Sequence, residues 1–175
     1  MRFLAVATVA TLALVVAGAC ASGPEVVYYH GDFPRYESVS ELYDRANLVV
    51  RARITDGTEV RPIKIGSADD TTLVYTVYRA EVQRVFKGRS TGPVVEVKLM
   101  GGAHDGVKYI ADGTIDLTPG QTYLLFLETY ADAPASLLNP AQSQYVVGPS
   151  GLVTSVGDNR LRVSESDLER LSTRR

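Results

Sequence analysis

The sequence predicts an all-β protein, a small antiparallel barrel that is closed or partly open and has a short helix on either side. The main observation is Thr71–Gly88, the longest segment that alternates with the period of a strand. Two consecutive polar residues, Gln83 and Arg84, break this alternation, which is typical of a β-bulge. A second observation is Gln121–Glu128, apolar on both faces and therefore deeply buried. A long, bent strand that belongs to two surfaces is what a small closed barrel needs.

The two halves of Thr71–Gly88 differ in the faces they bury. Leu73 and Val77 lie on the face opposite Val74, so both faces of the first half are apolar, and we expect both to be covered. From Arg79 onward one face is polar and should meet water. After the bulge, the buried side is expected to resume at Val85.

The first nineteen residues have the pattern of a signal peptide. Arg2 supplies a positive start, and Phe3–Ala17 is apolar with small residues towards its end. This segment is short for a membrane-spanning helix. We therefore predict an exported protein whose residues 1–19 are removed.

The single cysteine, Cys20, follows directly after Ala17-Gly18-Ala19. This arrangement resembles a bacterial lipoprotein signal, in which small residues precede an obligatory cysteine; Ala17 stands where that signal prefers a larger residue. The resemblance implies cleavage before Cys20, acylation (palmitate) there and anchoring to the outer face of the cell membrane, where two or more acyl chains hold a protein stably. The alternative is an ordinary exported protein cleaved near Cys20. A lone cysteine also excludes an intramolecular disulfide.

The charge of the mature chain argues against nucleic acid as a partner. Removal of residues 1–19 takes away Arg2 and no acid, which leaves 17 basic residues against 20 acidic ones and a formal charge of −3. Neither a basic block nor a polybasic segment beside Cys20 is present in the sequence. The length fits one domain with a tether.

Residues 20–37 are predicted to be the lipidated N-terminus and its tether, and residues 38–175 the barrel domain. Fully extended, the seventeen residues after Cys20 would reach about 55–60 Å. This segment is nevertheless rich in aromatic residues, namely Tyr28, Tyr29, Phe33 and Tyr36. They could pack part of the tether onto the barrel, or form a contact patch for a partner.

The remaining elements follow in chain order. Ser38 and Glu41 form a capping box that predicts a helix ending near Arg45. The predicted strands are Ala46–Thr55, an edge strand at Val60–Ile65, Pro93–Met100, and a short strand within Val107–Ile115. Between and after them we predict a polar loop (Gly66–Asp70), a mobile loop (Gly101–Gly106), a long excursion (Tyr130–Gln144), a hairpin (Gln144–Val163), and a C-terminal helix capped by Ser164 or Ser166.

This order of strands, in which Ala46–Thr55 opens, Phe86-Lys87-Gly88 closes the long strand and Pro119–Phe126 begins the buried strand, resembles the netrin-like module of tissue inhibitors of metalloproteinases. It is similar also to uncharacterised bacterial lipoproteins. The resemblance covers Ala46–Leu171 and implies an OB-like barrel. The inhibitor activity is not expected here, because lipidation would block the amine of Cys20 and the cysteine has no disulfide partner.

Residues with possible chemistry are few. His104 and Asp105, with Asp112 nearby in sequence, could begin a metal site, but a second histidine at ligand spacing is missing. Asp69-Asp70 lacks the alternating ligands of a calcium loop. We therefore predict no catalytic, metal or cofactor site, and Cys20 as the lipidation site.

The function predicted from the sequence is a non-catalytic module that binds another envelope or secreted protein through the loops Gly101–Gly106 and Tyr130–Gln144. The first alternative is an envelope enzyme or metal-dependent protein that uses His104 and nearby acids. The second is a purely structural envelope component. The sequence predicts neither the partner's identity nor an oligomeric state.

Overall fold

The computed structural model describes residue 23 and residues 25–65 and 71–173. The two helices are α1 (Val39–Arg45) and α2 (Glu165–Ser172). The strands are β1 (Glu25–Tyr29), β2 (Leu48–Ile54), β3 (Glu59–Lys64), β4 (Thr72–Lys87), β5 (Val94–Met100), β6 (Gly102–His104), β7 (Val107–Ala111), β8 (Thr122–Glu128), β9 (Ala135–Leu137), β10 (Gln144–Val147) and β11 (Val153–Ser155).

Five strands close into a barrel in the order β2–β4–β5–β9–β8 and back to β2. All neighbours in this ring are antiparallel except β5 and β9, which are parallel. The predicted OB-like barrel with flanking short helices is therefore confirmed. The closing strand β9 lies within Tyr130–Gln144, so the prediction of an excursion without a strand is wrong at this point.

Strand β4 has the predicted bulge and a second one. Its pairing with β2 skips Gln83, where predicted, and then skips Phe86. Val85 pairs with Val50 and so lies on the predicted side of the strand, yet it is 40% exposed, so the buried side does not resume there. The next residue, Phe86, is 7% exposed and packs outside the barrel. In the first half of β4, Val74 and Val77 are both buried, which confirms a strand covered on both faces.

The barrel interior is filled by one cluster of apolar side chains. In β2 the inward residues are those predicted, Leu48, Val50, Ala52 and Ile54. The remaining members come from the other four barrel strands and one connection: Tyr78, Ala80, Val97, Leu99, Leu117, Tyr123, Leu125, Leu127, Ala135 and Leu137. This cluster accounts for the continuous apolar sequence of β8, whose inner residues fill the barrel while its outer ones meet a second cluster.

The second apolar cluster lies between the outer barrel wall and the helices. Its members are Tyr36, Leu42, Tyr43, Ala46, Val49, Phe86, Leu124, Phe126, Leu138, Tyr145, Val147, Val163 and Leu168. Helix α1 is fixed to the end of β4, because the Tyr43 hydroxyl donates to Phe86 O at 2.9 Å and the Lys87 ammonium donates to Tyr43 O at 2.6 Å. Both helices thus cover the face of β8 and β10 that the barrel interior does not use.

Both helices begin where the local sequence predicts. The Ser38 hydroxyl accepts the Glu41 amide at 3.1 Å, but the Glu41 carboxylate accepts the amide of Glu37, one residue before the N-cap, so the predicted capping box forms only in part. At α2 the N-cap is Ser164, which forms a complete capping box with Asp167. The hairpin after Gln144 is confirmed as β10–β11.

A three-stranded sheet in the order β1–β7–β6 stands beside the barrel. Residues 102–111 form a β-hairpin with Asp105 and Gly106 in left-handed conformations at its turn, so the prediction of a mobile loop at Gly101–Gly106 is wrong. Strand β1 pairs in parallel with β7, and the chain packs on the folded unit from Glu25 onward, ahead of the predicted boundary at Ser38.

Strand β3 pairs with β4 at the margin of the barrel sheet, as predicted for a strand that contains Pro62. The polar loop Gly66–Asp70, with the Asp69-Asp70 pair, lies outside the described residues.

Candidate functional site

The predicted lipidation site, Cys20, lies outside the described residues, as does the predicted signal peptide. The first described strand begins at Glu25, five positions later in the sequence. Within residues 25–65 and 71–173, neither helix is long and apolar enough to cross a bilayer.

The N-terminal segment is held against the barrel by side-chain amides. Gln142 accepts the Tyr36 amide through Oε1 and donates to Tyr36 O through Nε2, both at 2.9 Å. The Asn139 amide donates to Pro34 O at 2.9 Å. In β1, the Tyr29 ring stacks on Tyr109 with centroids 5.5 Å apart. Of the two roles considered for the aromatic residues, packing onto the domain is the one that Tyr29 and Tyr36 adopt.

A cleft of about 680 Å³ opens between this N-terminal segment and the turns at residues 112–115, 139–142 and 158–161. Its walls carry both signs of charge, from Asp32, Glu37, Asp112, Asp158, Arg35 and Arg160. Asn139 and Gln142 line it but are occupied in holding the N-terminal segment. Asn159 is buried in the wall; its Oδ1 accepts the Leu161 amide, and its Nδ2 has no partner among the described residues. The cleft is therefore mainly the seam along which the N-terminal segment packs.

The residues proposed for metal chemistry do not come together. Asp112 lies at the far end of β7 from His104, because His104 pairs with Val107 at the hairpin turn. Asp112 instead contacts His30, whose Nδ1 lies 2.6 Å from its Oδ2, both side chains being exposed. His104 Nε2 lies 3.4 Å from its neighbour Asp105. Across the described part of the chain, no group of three metal-ligating side chains is found.

A second cleft, of about 370 Å³, lies at one end of the barrel between the β4–β5 turn and residues 129–135. Arg61 donates to Glu96 at 2.9 Å on one wall, and Arg89 is exposed on another. The Lys98 ammonium lies 4.6 Å from the centre of the Tyr130 ring. Burial lowers the pKa of Lys98. Tyr130 remains 44% exposed, so it offers an aromatic surface beside several charges.

The predicted binding loop Tyr130–Gln144 is exposed only in its first part. Residues 130–132 are exposed, whereas residue 135 and residues 137–140 are buried because they include β9 and the turn that follows it. The surface that remains is the rim of the second cleft. Arg61 and Arg89 were not predicted as part of this surface, because they lie in other segments of the sequence and only the folded barrel brings them to the same cleft as this loop.

Near the barrel interior, Tyr78 places its hydroxyl 3.1 Å from an Asp116 carboxylate oxygen, to which it donates. Burial, then the negative charge of Asp116, raises the pKa of Tyr78 far above its ordinary value. The tyrosine therefore remains neutral at every physiological pH, and its hydroxyl acts as a structural donor.

The comparisons with known proteins give no relatives: no family model, no curated protein and no solved structure matches this chain. The netrin-like and lipoprotein resemblances therefore stay predictions. The fold itself does not depend on them, since the strand pairings define it.

Proposed function

We propose that the protein is exported, carries a lipid anchor at Cys20, and holds a non-catalytic binding barrel at the outer face of the cell membrane. The sequence supports the anchor through Arg2, the apolar Phe3–Ala17 and the small residues directly before Cys20. The observation that carries the proposal is the position of β1: the first described strand begins at Glu25, five positions after Cys20, so a lipid on that cysteine would hold the barrel close to the bilayer.

The second cleft is the surface proposed for a protein partner. Tyr130 is exposed at its rim and Arg89 lines the same cleft, and tyrosine and arginine are enriched among the residues that contribute most to protein interfaces. Asp132 adds an opposite charge on the same loop. This mixed rim suits another envelope or secreted protein better than a nucleic acid, which would need a positive surface.

Photo-cross-linking from Asp132 tests this surface in membrane-bound protein. A photoreactive residue in place of Asp132 is expected to give one repeated cross-linked partner, and the same residue in place of Asp56, in the exposed turn after β2, should not. Tyr130→Ala should reduce the yield severalfold, whereas Leu152→Ala, a change at an exposed apolar residue elsewhere, should leave it unchanged. Equal yields from Asp132 and Asp56, or no effect of Tyr130→Ala, would contradict the proposed surface.

A further inference from the structure

The outer face of the three-stranded sheet carries a small group of uncovered apolar residues. Paired residues of neighbouring strands point to the same side, and the register pairs Val26 with Lys108 and Tyr28 with Ile110. Ala103 of β6 pairs with Lys108 and joins them. Tyr28 is 60% exposed and Val26 40% exposed, so both present apolar surface on this side of the sheet. We call these five residues the outer sheet face.

The opposite face of this sheet is the one that packs on the barrel. The Tyr29 hydroxyl accepts the amide of Val74 in β4 at 3.2 Å, and its ring stacks on Tyr109. A side chain at Gly102 would collide with Val60 of β3, so the sheet lies close against the barrel there. The outer sheet face therefore points away from the rest of the described chain.

The sequence sets how far this face can lie from an anchored cysteine. Glu25 lies five positions after Cys20, and a fully extended chain spans at most about 3.3–3.6 Å per residue, or roughly 17 Å over this distance. The polar layer of a bilayer is itself about 5–8 Å deep on each side. A lipid at Cys20 would therefore hold the start of β1 at the membrane surface, with little room for another protein between them.

We propose that the outer sheet face rests on the lipid bilayer and fixes the orientation of the barrel, an inference that relies on the proposed anchor at Cys20. Tyrosine prefers the boundary between headgroups and acyl chains, and Val26 and Ile110 add apolar area beside it. Lys108 can extend its ammonium to the headgroups. With this orientation, the membrane covers the sheet and the barrel projects outward.

The charges around the face indicate which lipids matter. Three acidic residues flank the outer sheet face, namely Glu25, Asp105 and Asp112. The basic residue that the strand pairing places on this face is Lys108. Anionic headgroups would meet these acids at short range, so they gain nothing from a single lysine. The contact is therefore with the apolar and interfacial part of the bilayer and does not depend on negative lipid.

The chain contains no tryptophan, so the fluorescence of one introduced tryptophan can report whether its position contacts the bilayer. Tyr28→Trp places an indole on the outer sheet face, and Leu152→Trp places one at a 68% exposed position in the β10–β11 turn as the matched control. The full-length lipidated variants are reconstituted into phosphatidylcholine vesicles that contain lipids brominated near the headgroup. Flotation and intact mass are recorded on the same samples, so that the anchor is checked separately.

In floating vesicles, Tyr28→Trp is expected to show a blue-shifted emission and severalfold stronger quenching than Leu152→Trp. Adding Val26→Ser should weaken this quenching, and replacing part of the lipid by phosphatidylglycerol should not strengthen it. Equal, weak quenching of both variants in protein that floats would overturn the inference while leaving the anchor intact. A blue shift without quenching would also overturn it and would indicate pairing of β1 with a second copy. Protein that lacks acyl mass and does not float would remove both the anchor and the inference.

Discussion

Gln142 joins two segments that lie 106 residues apart, through both ends of one amide group. Its oxygen and nitrogen satisfy the two backbone groups of Tyr36, a residue whose ring is buried in the outer cluster. The side-chain nitrogen of Asn139 donates to Pro34 O, and its side-chain oxygen accepts the backbone amides of Ala141 and Gln142. Buried backbone groups need partners, so these two side chains fix the path of the N-terminal segment.

Replacing Gln142 by Ala should therefore loosen the N-terminal segment. The Tyr36 amide and carbonyl lose their partners in a buried place, and the expected loss in free energy of unfolding is about 1–3 kcal/mol. Limited proteolysis of residues 30–37 should become faster. Gln83→Ala, which removes an exposed amide that accepts from Arg51, is the control and should cost less than about 1 kcal/mol. If both variants unfold at the same denaturant concentration, Gln142 does not hold the segment.

Asp167 makes the start of α2 sensitive to pH. The side chain and then the backbone amide of Ser164 donate to its carboxylate, which lowers the pKa of Asp167 below its ordinary value. A lowered folded pKa means that the stabilisation is present above the unfolded pKa and is lost as the pH falls through the folded one. Asp167→Asn should cost roughly 0.5 kcal/mol near pH 7, since the carboxylate is partly exposed, and almost nothing near pH 2.

Urea denaturation at several pH values checks this dependence. The difference between wild type and Asp167→Asn should shrink progressively as the pH falls from about 5. Asp158→Asn, at an exposed aspartate outside the helix, serves as the control and should show no such trend. A constant difference across the range would mean that the capping box does not depend on the charge of Asp167.

Residue-level features were predictable where they depend on near neighbours. The helix starts could be predicted from Ser38, Glu41 and Ser164, because a capping side chain and the backbone amide that it binds lie within three or four residues of each other. The role of the Asn139 and Gln142 side chains in holding the N-terminal segment could not be predicted, because their partners lie more than a hundred residues away. The proposed proximity of His104 and Asp112 failed for the same reason, since pairing in β6 and β7 separates residues that are close in sequence.

At the scale of elements, β4 determines most of the architecture. It pairs with β2, β3 and β5 along its 16 residues, and its two bulges let it leave one surface for another. Gly88 ends it with φ of +78°, and a Cβ there would overlap the backbone carbonyl oxygen of Asn47. The strand must stop at glycine because the chain passes directly beside the start of β2.

Gly88→Ala is accordingly expected to be strongly destabilising. The left-handed conformation alone costs an L-residue about 1–2 kcal/mol, and the overlap with Asn47 requires a backbone shift in addition. Thermal and chemical denaturation should show a loss above about 2 kcal/mol. Gly92→Ala, in the following turn, has open space around it and no positive φ, and should stay within about 0.5 kcal/mol of wild type. Similar stabilities of the two variants would contradict this explanation of the strand end.

Some of the strands could be predicted from the sequence and others could not. Strong periodicity made β2, β4, β5 and β8 predictable, including the inward side chains of β2. Strand β9 has only three residues between Pro134 and Pro140, too few for a period to show, although it closes the ring. Strand β7 was predicted within Val107–Ile115, but β6 was missed because its glycines suggested a loop, whereas Asp105-Gly106 is a favoured two-residue hairpin turn.

At the scale of the whole molecule, the barrel and its two apolar clusters form one unit, which includes the described chain from Glu25 onward. The sequence left two possibilities for residues 21–37, a free tether or a segment that wraps the barrel, and the parallel pairing of β1 with β7 selects the second from Glu25 onward. The reach available to an anchored chain is then about 17 Å, where a free tether would give about 55–60 Å. With the proposed anchor, the barrel would stay next to the membrane, and the second cleft is the surface proposed for a partner.

Intact mass spectrometry of protein extracted from membranes decides whether Cys20 carries the proposed anchor. We expect a mature chain that begins at Cys20 and carries the added mass of acyl chains, together with a Cys20→Ala variant that is released or misprocessed. A mature protein that begins at or after Cys20 without acyl mass would rule out the anchor and define a freely diffusing secreted domain.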